Sequence, residues 1–259
     1  MIKEGAFMCK VLCVANQKGG VGKTTLTYNV GCSFALEGKK VLLVDLDGLC
    51  TLTKANGFDP SKFDTSIVEV LENSKNIVGA IYDTEIAGVS LLPSSPMLDT
   101  LELKMVSKKD KYDRLKNALE IVKPIFDVIL IDCSPALNVF SVSALSAADY
   151  LLVPAETKYQ SDFSLDVFLT TYETIKEVRN PNINLLGVVA TMYNCQATED
   201  KEVLQTLKEK VEVLGIIKRT TAVSSAVKKG LPCVIANRRT VVAKEFREIT
   251  RKIMCQMEV

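Results

Sequence analysis

The chain has 259 residues, 47% hydrophobic and 24% charged, with a formal net charge of +1. This composition excludes a disordered or fibrous chain, no apolar run approaches the roughly 18 residues of a spanning helix, and the first ten residues lack the apolar core of a signal peptide. A cytoplasmic location is therefore expected. Histidine is absent, which removes Ser-His and Cys-His machinery, so any catalysis must run on carboxylates, lysine, backbone amides and a metal. The eight cysteines form no Cys-x-x-Cys pair and read as buried free thiols.

Residues 1–9 read as a short extension and 10–259 as one domain. The first apolar run, Lys10 to Asn16, leads into Asn-Gln-Lys-Gly-Gly-Val-Gly-Lys-Thr-Thr at 16–25. A strand, a glycine turn and Lys23-Thr24-Thr25 opening a helix supply what a polyphosphate needs. Glycines let backbone amides approach the oxygens, and the helix N-terminus adds partial positive charge. The loop predicts ATP contacts from Gly19, Gly20, Val21, Gly22 and Thr25, a Lys23 contact to the β and γ phosphates, and a Thr24 hydroxyl on Mg2+.

Further strands are predicted over Lys40 to Asp45, Val89 to Leu92, Asp127 to Asp132, Tyr150 to Pro154, Leu185 to Met192 and Val213 to Ile217. Amphipathic stretches between them give the strand-then-helix rhythm of an α/β fold, a mostly parallel sheet with helices on both faces. Val-Leu-Leu-Val at 41–44 and Val-Ile-Leu-Ile at 128–131 suit central strands. Ligands in such sheets gather beyond the carboxyl ends of the strands. Asp45, Asp47 and Asp132 all fall there, where carboxylates hold a metal or orient attacking water. Asp45 and Asp132 are expected beside the metal, and Asn194, just past the Leu185 to Met192 strand, offers a donor and an acceptor that match adenine N1 and N6.

These segments resemble the ParA/MinD family of deviant Walker A ATPases, P-loop proteins, and are most similar to the ParA (Soj) branch. The likeness rests on the 16–25 loop, Val-Leu-Leu-Val-Asp-Leu-Asp, Ile-Asp-Cys-Ser-Pro and Gly-Leu-Pro, and runs from about Lys10 to the last helix. It implies that Lys18 is the signature lysine, reaching across a nucleotide-sandwich homodimer to the partner's phosphates. It also implies that Asp47 positions the attacking water and that a ParB-like protein stimulates hydrolysis. Two departures stand out. The branch reads Asp-x-Asp-Pro-Gln-x-Asn where this chain has Asp45-Leu46-Asp47-Gly48-Leu49-Cys50-Thr51, which predicts a loosened switch loop. Where the family places two DNA-contacting arginines, this chain has Gln196 and Ala222.

Charge is unevenly spread. Residues 216–252 hold ten basic residues against Glu245 and Glu248, a local charge of +8 that leaves −7 for the rest. Lys218, Arg219, Arg238, Arg239 and Arg247 are the candidate contacts for non-specific double-stranded DNA. Val242, Phe246, Ile249, Ile253 and Met257 follow at helical spacing. Packing on the sheet is the expected fate of that helix, with a MinD-like membrane cycle as the alternative.

Overall fold

Strands covered on both faces need apolar residues at successive positions, and the chain spends its Val, Ile and Leu runs accordingly. The computed structural model describes residues 8–259; of the extension expected over residues 1–9, residues 1–7 lie outside the described residues. Eight described strands form one sheet: β1 (Lys10–Val14), β2 (Val41–Leu46), β3 (Tyr82–Asp83), β4 (Val89–Leu92), β5 (Val128–Cys133), β6 (Tyr150–Glu156), β7 (Asn184–Tyr193) and β8 (Val213–Lys218). Their order is β3-β4-β2-β5-β1-β6-β7-β8. Every expected strand is present, and among the described residues only the β3–β4 pair is antiparallel.

The helices are α1 (Lys23–Leu36), α2 (Thr51–Ala55), α3 (Ile67–Glu72), α4 (Leu98–Met105), α5 (Arg114–Val122) and α6 (Val139–Ala147). They continue with α7 (Tyr159–Val178), α8 (Thr198–Lys210), α9 (Thr221–Val227), α10 (Cys233–Ala236) and α11 (Val241–Met257). Alternation along the strands divides the core in two. Val11, Cys13, Ile129 and Ile131 face α3 to α8, whereas Leu12, Val14, Val128 and Leu130 face α1, α2 and α9 to α11. At Gly31 the α1 backbone lies so near the sheet that a Cβ would stand 2.5 Å from Leu43. A side chain there would require the Leu43 side chain to shift.

Helix α11 buries Val242, Phe246, Ile249, Ile253 and Met257, packing on α1 and β8. Its apolar face is consumed inside the fold, as its spacing predicts, and is not presented outward for a membrane. No described helix is long and apolar enough to cross one.

Candidate active site

The 16–25 loop sits between the carboxyl end of β1 and the start of α1, and several long-range bonds shape it. Asn16 donates through Nδ2 to the Pro154 carbonyl at 2.8 Å, while its Oδ1 accepts the Lys18 amide at 2.9 Å. Thr191, on β7, donates to the Val21 carbonyl at 2.8 Å. Gly20 and Gly22 adopt φ of 75° and 90°, left-handed values that glycine reaches without a Cβ penalty. Lys23 opens α1 nearly buried and donates to the Lys18 carbonyl at 3.0 Å. Burial lowers its pKa, with Asp132 opposing the shift. A buried ammonium held against a main-chain carbonyl is well placed to exchange that partner for phosphate oxygens.

Asp45 and Asp132 are register partners on β2 and β5, and both are fully buried. Their environments differ. Asp45 accepts the Asp47 amide on Oδ1 at 3.3 Å, and the amide and hydroxyl of Thr53 on Oδ2 at 2.8 and 2.6 Å. Both its oxygens accept protein donors, so Asp45 is the less free of the two to take a metal. Burial raises its pKa to about 6, with the Thr53 bonds opposing. Asp132 has an Oδ2 that is buried with no hydrogen-bond partner. Burial, and then the nearby Asp45, push its pKa well above the ordinary carboxylate range, while the neighbouring Thr24 hydroxyl pulls the other way. An orphaned carboxylate oxygen near a Thr24 hydroxyl is a hard donor set that fits magnesium, whose remaining ligands are ordinarily phosphate and water. No group of three or more carboxylate, thiol or imidazole side chains forms a metal cage among the described residues.

Asp47 lies just past β2, partly exposed, with Oδ1 accepting the Leu49 amide at 3.0 Å. Lys18 does not point away into solvent. Its ammonium donates to Ser161 Oγ at 2.6 Å and pairs with Glu156 at 3.5 Å, both at the β6–α7 junction of its own chain. Sequence reasoning could not have found these partners, which stand 143 and 138 positions away.

Beside the loop, a cavity of about 550 Å³ is lined by Gly22, Thr25, Met192, Lys218, Arg219 and Val223 among others. Its place next to the phosphate loop and its largely apolar walls suit a nucleoside. Asn194 is not among the lining residues. It is exposed, and its Oδ1 accepts the Gln196 amide at 3.1 Å, the turn-capping use of an asparagine. The cavity wall is built by the β8–α9 segment.

The cationic segment also looks different once folded. Lys218 pairs with Glu245 at 3.8 Å and lines the cavity with Arg219. Arg247 donates to the Arg238 carbonyl at 2.8 Å. Of the five residues expected to meet DNA, Lys218, Arg219, Arg238 and Arg239 are exposed and Arg247 is half-buried; Lys218 and Arg247 also have partners within the chain.

A family model described as an AAA domain matches residues 9–185. The sporulation initiation inhibitor protein Soj of Bacillus subtilis is 29% identical over 250 residues, 95% of this chain and 98% of its own. The chromosome partitioning protein ParA of Caulobacter vibrioides is 30% identical over 251 residues, 95% of this chain and 94% of its own. Among solved structures, a cobyrinic acid a,c-diamide synthase from Mycobacterium smegmatis with bound ADP and magnesium superposes with a TM-score of 0.85. It is 31% identical and covers 97% of this chain and 96% of that one.

Proposed function

Because the chain belongs to the ParA/MinD family of deviant Walker A ATPases, we propose that it is a slow, magnesium-dependent ATP hydrolase of the ParA type. In this reading ATP drives dimerisation, the dimer binds duplex DNA without sequence preference, and a ParB-like partner stimulates hydrolysis to release it. The task would be plasmid or chromosome partition in the cytoplasm, over the nucleoid. The observation that carries the reading is the meeting of a buried Lys23, the Thr24 hydroxyl and the unpartnered Asp132 oxygen beneath one glycine loop.

The triphosphate would lie along Gly19 to Thr25, with Lys23 leaving the Lys18 carbonyl for the β and γ oxygens. Magnesium at Thr24 and Asp132 would offset charge on the terminal phosphates. Asp47 would orient the attacking water. Lys18 would have to leave Ser161 and Glu156 to reach a partner subunit's phosphates, so dimerisation competes with a bond inside the monomer.

Retention of a random duplex, measured against salt with ATP, ADP and no nucleotide, tests the reading as a whole. ATP-dependent retention that falls steeply with salt is expected. A chain that hydrolyses ATP yet retains no duplex at low salt would keep the ATPase and lose partition on DNA.

A further inference from the structure

The loop after β2 departs from the family pattern at Gly48, Leu49 and Thr51, yet it is held at both ends. Asp45 accepts the Asp47 amide on one oxygen and the Thr53 amide and hydroxyl on the other, so a single buried carboxylate closes segment 47–53. The Thr53 hydroxyl oxygen also accepts the Ser94 amide at 3.0 Å, just beyond β4. Thr53 is fully buried. It thus ties α2, β2 and the chain after β4 at one point. Inside the loop the Cys50 amide donates to the Asp47 carbonyl at 2.8 Å. Cys50 itself takes a left-handed φ of 55°, a conformation that persists in a non-glycine residue only when its surroundings enforce it. Gly48 presses on α4, where a Cβ would stand 2.6 Å from an Asp99 oxygen.

We infer that Thr53 is a positioning residue for hydrolysis, acting through Asp45 to fix the loop that presents Asp47. It touches neither phosphate nor water. Without its hydroxyl, Asp45 Oδ2 keeps one donor of two, the Ser94 amide is left without its acceptor, and the far end of the loop is tied by a single amide. The site for the triphosphate lies on α1 and the 16–25 loop and keeps its own fasteners, Asn16 and Thr191. Turnover should suffer while nucleotide binding does not.

The inference rests on the ATPase reading above, so its test has two arms. In steady-state hydrolysis, Thr53→Val and Thr53→Ala should lower kcat about tenfold with KM for ATP within about twofold, and Thr53→Ser should stay near wild type. In amide hydrogen exchange of the nucleotide-free protein, the Asp47 and Thr53 amides should exchange about tenfold faster in Thr53→Val, with the Gly19 to Gly22 amides unchanged. Wild-type kcat in Thr53→Val, a slow Thr53→Ser, or nucleotide binding that falls in parallel with turnover overturns the inference. So does unchanged exchange at Asp47. If the wild type itself turns over no ATP, the ATPase reading fails, and the exchange arm alone decides what Thr53 holds.

Discussion

Replacing Lys23 with alanine should separate binding from folding. Lys23 is 7% exposed, and burial already holds its pKa below the ordinary lysine value. Its bond is to the Lys18 main-chain carbonyl, which can turn to water. Truncation removes a costly buried charge, so the nucleotide-free melting temperature should change by no more than about 3 °C. Nucleotide binding should not survive. Two charge-assisted bonds to phosphate, at about 1.5–3 kcal/mol each, amount to roughly 3–6 kcal/mol, or about two to four decades in Kd. At an ATP concentration a thousand times the wild-type Kd, linkage adds about 4.1 kcal/mol of stability, which for a chain of this size raises Tm by roughly 8–16 °C. With Kd three decades weaker, the same ATP adds about 0.4 kcal/mol and about 1 °C. Thermal unfolding with and without magnesium ATP reads both quantities. A Lys23→Ala protein that keeps the full ATP-induced shift refutes the phosphate assignment; one that unfolds without nucleotide refutes the claim that Lys23 is there to bind and not to hold the fold.

Asp47→Ala should retain the ATP-induced Tm shift and lower single-turnover hydrolysis at least about tenfold; unchanged turnover would move water positioning to another residue. A carboxyl whose pKa is higher folded than unfolded contributes stability below its unfolded pKa and loses it as pH rises through the folded value. With Asp45 raised to about 6 and Asp132 also raised, the nucleotide-free protein should lose this contribution as pH climbs through about 6. Magnesium ATP should then raise Tm more at about pH 7.5 than at about pH 5.5, and an equal shift at both would remove Asp132 from the metal. Arg238→Ala with Arg239→Ala should weaken duplex binding across sequences and flatten the slope of log affinity against log salt by roughly 0.9 for each DNA phosphate no longer neutralised, whereas Gln196→Ala should leave that slope as it is.

The sequence exposes what repeats or clusters along the chain. The Val and Leu runs of β2 and β5 and the spacing of Val242, Phe246, Ile249, Ile253 and Met257 carry their own periodicity, and each becomes the element it predicts. Strand β3, two residues long, has no period to detect. The phosphate loop is legible because its chemistry sits on consecutive residues. The bonds of Asp45 are not, because nothing in a strand-end carboxylate shows that it will take the Thr53 hydroxyl, eight positions on. The same limit hid the Lys18 partners across the sheet. Nor does the sequence show that the Asn194 Oδ1 accepts the Gln196 amide.

Charge counted along a segment does not say how each cation is used. Lys218, Arg219 and Lys228 line the nucleoside cavity, Arg251 pairs with Glu37 at 3.3 Å, and Lys252 donates to the Leu214 carbonyl at 2.7 Å. Arg238, Arg239 and Lys244 are exposed together around the start of α11, as Lys228 and Lys229 are after α9. That corner is not isolated from the phosphate loop. Helix α1, whose N-terminus would hold the triphosphate, accepts the Val234 amide on Asn29 at 3.2 Å and donates from Tyr28 to the Gly230 carbonyl at 3.2 Å. One buried helix therefore carries the phosphate site and holds Gly230 and α10, which precede the turn with Arg238 and Arg239. A shift of α1 would reach that turn by way of Gly230 and α10, the segments its two bonds hold.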